Sequence, residues 1–255
     1  MRKNEEEIKL VKIIENHQEK ITDLVAREIS FSIILNGTKI VTLNCSPGNY
    51  KALGLGYLFT MGILDKKEQI KTVEVDAENG QMHIDTERKQ VPKNGISKKK
   101  ILEFYYPENR NKKFEAIDFS LKIEANQIYH LVSEIENRAE LFRHTGGAHS
   151  CALADKDGNI LLFTEDISRY STIDRMVGEA FLKSIITKDK IIITSCRITS
   201  GILKKIIAVK IPVIVSRADP TDLSIQLAQK IGISLIGFAR GNTMNVYTYP
   251  ERVMI

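Results

Sequence analysis

Side chains able to bind an anion follow three short apolar segments in the second half of the chain. Each segment ends in hydroxyl or guanidinium groups, and one of them also delivers a cysteine. Guanidinium forks and hydroxyl donors are groups that proteins use to bind phosphate oxygens. The pattern therefore indicates an anionic ligand, most simply phosphate or pyrophosphate. The residues concerned are Thr194, Ser195, Arg197, Ser216, Thr221, Arg240 and Asn245.

A second polar group lies between residues 145 and 174. His149 follows the triplet 145–147, and Asp166, Arg169 and Asp174 follow a predicted strand. We expect these side chains to complete the same site. The alternative is that Arg169 forms a structural ion pair with Asp166 or Asp174. His149 and Cys151 offer only two metal ligands on one strand face, so the sequence does not predict a metal centre.

The three cysteines differ in what their surroundings predict. Cys196 follows a strand, at the expected start of a helix and beside Arg197, and both features lower a thiol pKa. It is therefore the candidate reactive thiol. Cys45 precedes a Ser-Pro pair and could be exposed, whereas Cys151 lies within a strand and is expected in the core. The odd number and wide spacing argue against a disulfide framework.

Alternating strands and helices predict how the first group is brought together. Residues 191–194, 212–215 and 233–238 are expected strands, joined by helices around residues 202–207 and 220–231. The second helix is expected to begin at Asp219, with proline at its first position. Such a β-α-β-α-β run predicts parallel strands, whose carboxyl ends meet at one edge of the sheet.

The first half of the chain predicts a smaller α+β unit. Strands at 27–34 and 39–43 flank an Asn-Gly turn, and a second hairpin is expected at 73–84. Ser46 is the expected cap of the helix that follows, and Gly54 and Gly56 indicate close packing of that helix. A further helix is expected over 124–142. We divide the chain into a charged tail or frayed helix (1–24), an α+β domain (25–118) and an α/β domain (119–255).

Composition narrows the classes of protein that remain. The hydrophobic fraction is 43%, and no apolar run reaches the roughly 18–20 residues that a membrane span needs. The first residues lack the apolar region of a secretory signal, so we expect a cytoplasmic protein. The segment 88–113 carries nine Lys or Arg and two Glu. It predicts a flexible solvated loop, with nucleic-acid binding as the alternative.

Several motifs resemble one known family. They are SPG at 46–48, LGLGYLFTMGIL at 53–64, HTGGAHSCAL at 144–153, EDISRYSTIDRMVG at 165–178, TSCRITSG at 194–201, IPVIVSRADPT at 211–221 and GFARGNTMNVYT at 237–248. On these residues the chain resembles the formate dehydrogenase accessory proteins, which are sulfurtransferases acting on the molybdenum cofactor. The resemblance implies an α/β fold with a cytidine-deaminase-like three-layer α/β/α core, a smaller α+β N-terminal domain and a homodimer.

The resemblance also implies a function. Family members take persulfide sulfur from a cysteine desulfurase and pass it to the guanine-dinucleotide form of molybdopterin for a formate dehydrogenase apoenzyme. The arginine-rich residues would then hold molybdopterin guanine dinucleotide or a guanine nucleotide, with no metal held by the protein itself. Deaminase chemistry is not implied, because the paired cysteine zinc ligands are missing.

The chain departs from the family pattern at the residues that carry sulfur. The family has a CxxC pair upstream of the TGG triplet, whereas residues 86–143 contain no cysteine. Ser168, Tyr170 and Ser171 replace Gly, His and Asn, and Cys196 replaces Gly. Three hypotheses follow: an accessory protein that assists sulfuration or insertion of the cofactor, with Cys196 as substitute thiol; a nucleotide-binding paralogue that has lost sulfur transfer; and a nucleic-acid binder. Whether the chain is an enzyme stays open.

Overall fold

A six-stranded mixed sheet forms the centre of the second half of the chain. The structure, a computed structural model, describes residues 4–64, 66–87 and 121–255. The strands of the first half are β1 (Glu5–Ile14), β2 (His17–Ala26), β3 (Ile29–Leu35), β4 (Thr38–Cys45), β5 (Ile70–Asp76) and β6 (Gln81–Thr86), with helix α1 at Tyr50–Thr60. The basic segment 88–113, with its predicted loop and nucleic-acid roles, lies outside the described residues.

The second half alternates helices and strands. Its helices are α2 (Ala125–Arg138), α3 (Glu140–Thr145), α4 (Arg169–Leu182), α5 (Ser200–Ala208) and α6 (Asp222–Ile231). Its strands are β7 (Ile123–Glu124), β8 (His149–Ala154), β9 (Ile160–Asp166), β10 (Ile191–Thr194), β11 (Val213–Ser216), β12 (Ser234–Arg240), β13 (Thr243–Val246) and β14 (Val253–Met254).

The large sheet has the strand order β13-β12-β11-β10-β8-β9. Strands β10, β11 and β12 are parallel, as their spacing predicts, whereas β8 is antiparallel to β10 and β9 to β8. Apolar side chains of α4, α5 and α6 pack on one face of the sheet, and those of α2 pack on the other. The α/β class is therefore confirmed. The specific likeness to cytidine deaminases and the domain boundaries stay predictions.

The smaller unit is a four-stranded sheet of order β4-β3-β6-β5, covered by α1. Both predicted hairpins are confirmed, and α1 packs closely enough to need its glycines. The predicted tail or frayed helix at the N-terminus is wrong over residues 5–24, because β1 and β2 pair along ten residues as an antiparallel hairpin. Alternating isoleucine, leucine and valine in this stretch favour strands despite its charge.

Three helix boundaries differ from prediction. Helix α1 begins at Tyr50 after Asn49, not at Ser46, because the chain at 46–48 is held by contacts from the large domain. The helix predicted over 124–142 is two helices that meet at Ala139. Helix α6 is capped by Thr221 rather than Asp219. Within the described ranges, none of the helices is both long and apolar enough to cross a bilayer.

Candidate anion-binding site

The carboxyl edge of the large sheet collects the predicted site. Since β10, β11 and β12 are parallel, the residues that follow them lie at the same edge. Strand β8 runs in the opposite direction and begins at this edge with His149. His149 pairs in register with Asp166, the last residue of β9. The chain then turns at Ser168 into α4, so that Arg169 stands at the start of a 14-residue helix.

Arg169 lies beside His149 and supplies positive charge to this edge. Burial lowers the pKa of His149 below its usual value, and the neighbouring Arg169 charge lowers this pKa further. A weaker influence of Arg169 reaches Cys196. Within the part of the chain that the structure describes, neither Arg169 nor Arg197 makes a side-chain hydrogen bond or ion pair. Both guanidinium groups are therefore available to a ligand.

Arg240 of β12 and Asn245 of β13 are exposed. Their two strands are neighbours in the same sheet, and β11 and β10 separate them from β8. Arg240 Nε donates to the carbonyl oxygen of Arg217 at 3.0 Å, and its guanidinium lies 5.4 Å from the Phe238 ring. Asn245 Nδ2 lies 3.5 Å from the Tyr247 hydroxyl. Among the described residues, the hydrogen bond of Arg240 uses one of the five N–H groups of its guanidinium, which leaves further donors.

The hydroxyl groups predicted at this edge mostly support the loops. Thr194 is fully buried, and its Oγ1 donates to the carbonyl oxygen of Ser150 at 2.8 Å. Ser195 Oγ accepts from the backbone N–H of Ser150 at 2.9 Å. Ser216, also buried, donates to the carbonyl oxygen of Cys196 at 2.7 Å. Thr221 caps α6. Of this group only Ser195 and Thr221 are partly exposed.

Asp166 is committed to a buried network rather than to the open edge. Its carboxylate is fully buried and accepts from Arg175 Nε at 2.7 Å, from the Ser168 N–H at 2.9 Å and from the Ser46 N–H at 3.3 Å. Burial raises the pKa of Asp166, although the Arg175 charge acts in the opposite direction. We therefore assign Asp166 a supporting role in place of the predicted ligand contact.

Asp174 is buried in a second ion pair at the contact between the two units. Lys205 Nζ lies 2.8 Å and 2.9 Å from its two carboxylate oxygens, and Thr60 of α1 donates to Oδ1 at 2.7 Å. The Tyr57 ring centroid lies 5.2 Å from the same Lys205 Nζ. The alternative in which Arg169 pairs with Asp166 or Asp174 is therefore wrong, because Arg175 and Lys205 occupy those carboxylates.

The cysteines do not have the surroundings predicted for a reactive thiol. All three are free and fully buried. Burial raises the pKa of Cys45 to about 12 and that of Cys196 to about 11, and it raises the pKa of Cys151 well above its usual value. Helix α5 begins only at Ser200, behind a Thr199 cap, so its N-terminus does not act directly on Cys196. The predicted lowering of the Cys196 pKa and the exposure of Cys45 are wrong.

Sequence reasoning did not single out Ser46, Thr60, Arg175 and Lys205 as members of these networks. One signal was present, because Asp174 and Arg175 lie in a helix between residues that are otherwise apolar, Ile173 and Met176. Two charges in a helix segment that must be buried predict buried partners. The described residues contain no group of three or more His, Cys, Asp or Glu side chains placed to hold a metal ion.

The fold and this edge define an α/β protein that carries the arginines Arg169, Arg197 and Arg240 along the carboxyl edge of its large sheet. A family model described as the FdhD/NarQ family matches residues 26–254. The chain belongs to this family, as the sequence motifs predict.

Named relatives match over nearly the whole chain. A sulfur carrier protein FdhD from Shouchella clausii (strain KSM-K16) is 30% identical over 247 residues, covering 92% of this chain and 91% of the relative. The protein of the same name from Wolinella succinogenes is 32% identical over 239 residues, covering 91% and 82%. The crystal structure of a protein from Desulfotalea psychrophila, described as a formate dehydrogenase accessory protein, shares the fold with a TM-score of 0.85 at 24% identity, covering 98% of this chain and 99% of that one.

Proposed function

We propose that the protein binds the guanine-dinucleotide form of molybdopterin at the carboxyl edge of its large sheet and assists the sulfuration or insertion of that cofactor. The observation that carries the proposal is the pair of unpaired guanidinium groups, Arg169 and Arg197, at this edge of the described structure. An unpaired arginine beside a half-buried histidine is well suited to an anion, because the ligand would neutralise it without breaking an existing ion pair.

The pyrophosphate group of a dinucleotide matches this arrangement chemically. Arg169 stands in the first turn of α4, where the backbone dipoles also favour negative charge. Arg197 follows β10 and Arg240 ends β12, two parallel strands on either side of β11, and both residues offer further donors. Guanidinium groups bind phosphate oxygens through paired N–H donors, which fixes the orientation of the ligand as well as its charge.

The relatives suggest the enzyme that is served. They are named as sulfur carrier proteins, and the solved neighbour is described as a formate dehydrogenase accessory protein. We therefore propose a formate dehydrogenase apoenzyme as the partner, with the protein acting as a homodimer in the cytoplasm. A cysteine desulfurase would be a second partner only if one of the thiols accepts sulfur.

GDP is a suitable probe for the proposed site because it carries the guanine base and a pyrophosphate. Calorimetric titration of the full chain should show binding that weakens about tenfold or more in Arg169→Ala and Arg197→Ala, since each variant removes a charged hydrogen bond. Lys156→Ala is the matched control. It also removes one exposed positive charge, but in the turn between β8 and β9 at the opposite edge. Equal losses in all three variants, or no binding by the wild type, would contradict the proposal.

The buried thiols favour a second candidate, in which the protein binds the cofactor without carrying sulfur. All cysteines of the chain are accounted for in the structure, and none is exposed. A thiol must reach its partner as a thiolate to accept a persulfide sulfur. In this candidate, sulfur is delivered by a different protein, while this chain presents the cofactor. The persulfide measurement described in the Discussion separates the two candidates.

A further inference from the structure

Two successive residues of α4, Asp174 and Arg175, form buried ion pairs that connect different parts of the fold. Asp174 faces Lys205 and Thr60, within the contact between α1, α4 and α5. Arg175 faces Asp166, which ends β9 next to His149 in the register of the sheet. The first pair lies between helices, whereas the second joins α4 to the end of β9. Only the second is connected to the backbone that presents Arg169.

Arg175 links its own helix α4 to the Asp166 carboxylate at the end of β9 and to the loop 46–48. Its Nε donates to Asp166, and its two terminal nitrogens donate to the carbonyl oxygens of Ser46 and Gly48. The side chain is 4% exposed, so its charge is neutralised inside the protein and does not face a ligand. The guanidinium therefore holds the chain at 46–48 against the end of β9.

The same loop is also fixed from its other side. The Ser46 N–H donates to Asp166, and the Ser46 hydroxyl accepts from the Ile167 N–H at 3.1 Å. The Asp166 carboxylate in turn accepts from the Ser168 N–H. These contacts form a closed network through Arg175, Asp166 and Ser46. The network fixes the turn at 166–168, which immediately precedes Arg169.

We propose that Arg175 is a positioning residue for the anion site, an inference that rests on the proposed function. It sets the direction of the first turn of α4, and with it the position of the Arg169 guanidinium. A lysine at 175 could pair with Asp166, but its ammonium group cannot match the planar, divergent donors that reach Asp166, Ser46 and Gly48 together. Small displacements of a ligand-orienting group are costly because charged hydrogen bonds depend on geometry.

The test compares Arg175→Met with Lys205→Met in the full chain. Each variant removes a buried cation and leaves a buried carboxylate unpaired, so both should lower the unfolding midpoint. GDP binding should separate them. The dissociation constant should rise about tenfold in Arg175→Met, because the orientation of Arg169 is lost, and by less than about twofold in Lys205→Met. Arg175→Lys, which keeps the charge, should give an intermediate affinity.

Amide hydrogen exchange provides a readout that needs no ligand. In Arg175→Met, exchange should accelerate at the N–H groups of Ser46 and Ser168, which donate to Asp166, more than it does in Lys205→Met. Arg175→Lys serves both measurements if Arg175→Met does not fold. The inference is overturned if wild-type protein binds GDP while the Arg175 variants bind as tightly as Lys205→Met. If wild-type protein does not bind GDP, the proposed function falls, and this inference falls with it.

Discussion

Gly56 of α1 and Gly178 of α4 lie against each other where the two helices cross. A Cβ atom on Gly56 would overlap the carbonyl oxygen of Asp174 and lie 2.8 Å from the Gly178 nitrogen. A Cβ atom on Gly178 would overlap the carbonyl oxygen of Ala52. The helices are therefore in backbone contact, which brings Thr60 within hydrogen-bonding distance of Asp174. The small unit is fixed to the large one at this crossing.

Gly56→Ala should destabilise the protein, because a methyl group has no room between two backbones. We expect the free energy of unfolding to fall by about 2–3 kcal/mol, as for overpacked cores, measured by urea denaturation. Gly201→Ala is the control, because the nearest atoms to a Cβ there belong to the ring and hydroxyl of the exposed Tyr170 and not to backbone. Equal stability of Gly56→Ala and Gly201→Ala would show that the crossing is looser than described.

Replacing one partner of the Asp174–Lys205 pair should lower the free energy of unfolding more than replacing both partners. Lys205→Met leaves the buried Asp174 carboxylate without its cation, and we expect a loss of about 3–5 kcal/mol in the free energy of unfolding. Asp174→Asn combined with Lys205→Met should recover part of this loss, because no buried charge remains unpaired. Denaturant unfolding of the single and double variants checks the order. A double variant less stable than Lys205→Met would contradict the prediction.

The affinity for GDP should change with pH because His149 titrates at the proposed site. Burial and the neighbouring Arg169 charge disfavour the charged imidazole, so the pKa of His149 lies below its usual value. As the pH falls through this lowered pKa, the ring gains a positive charge at the anion site and the affinity should increase. The same shift means that the His149 contribution to folding stability is complete above the pKa of an unfolded histidine, about 6.5, and is lost as the pH falls through the lowered pKa of the folded state.

His149→Gln is the control for that measurement. The variant keeps a polar side chain, and GDP titrates in the same way with both proteins. The difference between the two affinity profiles therefore isolates the imidazole. Parallel profiles between pH 5 and pH 8 would remove His149 from the site.

Persulfide loading should leave the native protein unmodified. With a pKa of about 11 for Cys196, only on the order of one thiol in a thousand is a thiolate at pH 8, and burial keeps that thiolate from a partner. The protein should therefore gain no sulfur from a cysteine desulfurase and cysteine, as read by intact mass. Urea-unfolded protein should expose all three thiols to a thiol reagent. A sulfur adduct on native Cys196, absent in Cys196→Ser, would instead support a substitute sulfur carrier.

The parallel strands and the edge at which ligands collect were predictable because they depend on local patterns. Apolar runs of four residues, separated by helical periods, place the carboxyl ends together whatever the details of packing. For this reason Arg197 and Arg240 lie at the predicted edge, whereas Arg169 reaches it at the end of the β8–β9 hairpin. The family was predictable from the order of its motifs, although the thiols expected from it are absent.

The roles of Asp166, Asp174 and Cys196 were not predictable from local patterns. Each depends on burial by residues that are more than 100 positions away in the sequence or that belong to another layer of the fold. Asp166 is covered by the chain at Ser46, and Asp174 by Thr60. A charged residue before a helix predicts a ligand or an ion pair equally well, and only the tertiary contacts decide. The β1–β2 hairpin was not predicted because many charged residues stand among the alternating apolar residues of its two strands.

The most direct test of the account is the footprint of GDP in amide hydrogen exchange. We expect protection at the carboxyl edge of the large sheet, in the segments 145–149, 167–171 and 195–199. The opposite edge, represented by residues 155–159, should not change. Protection confined to the opposite edge or to the small sheet, or no protection at saturating GDP, would contradict a dinucleotide site at this edge.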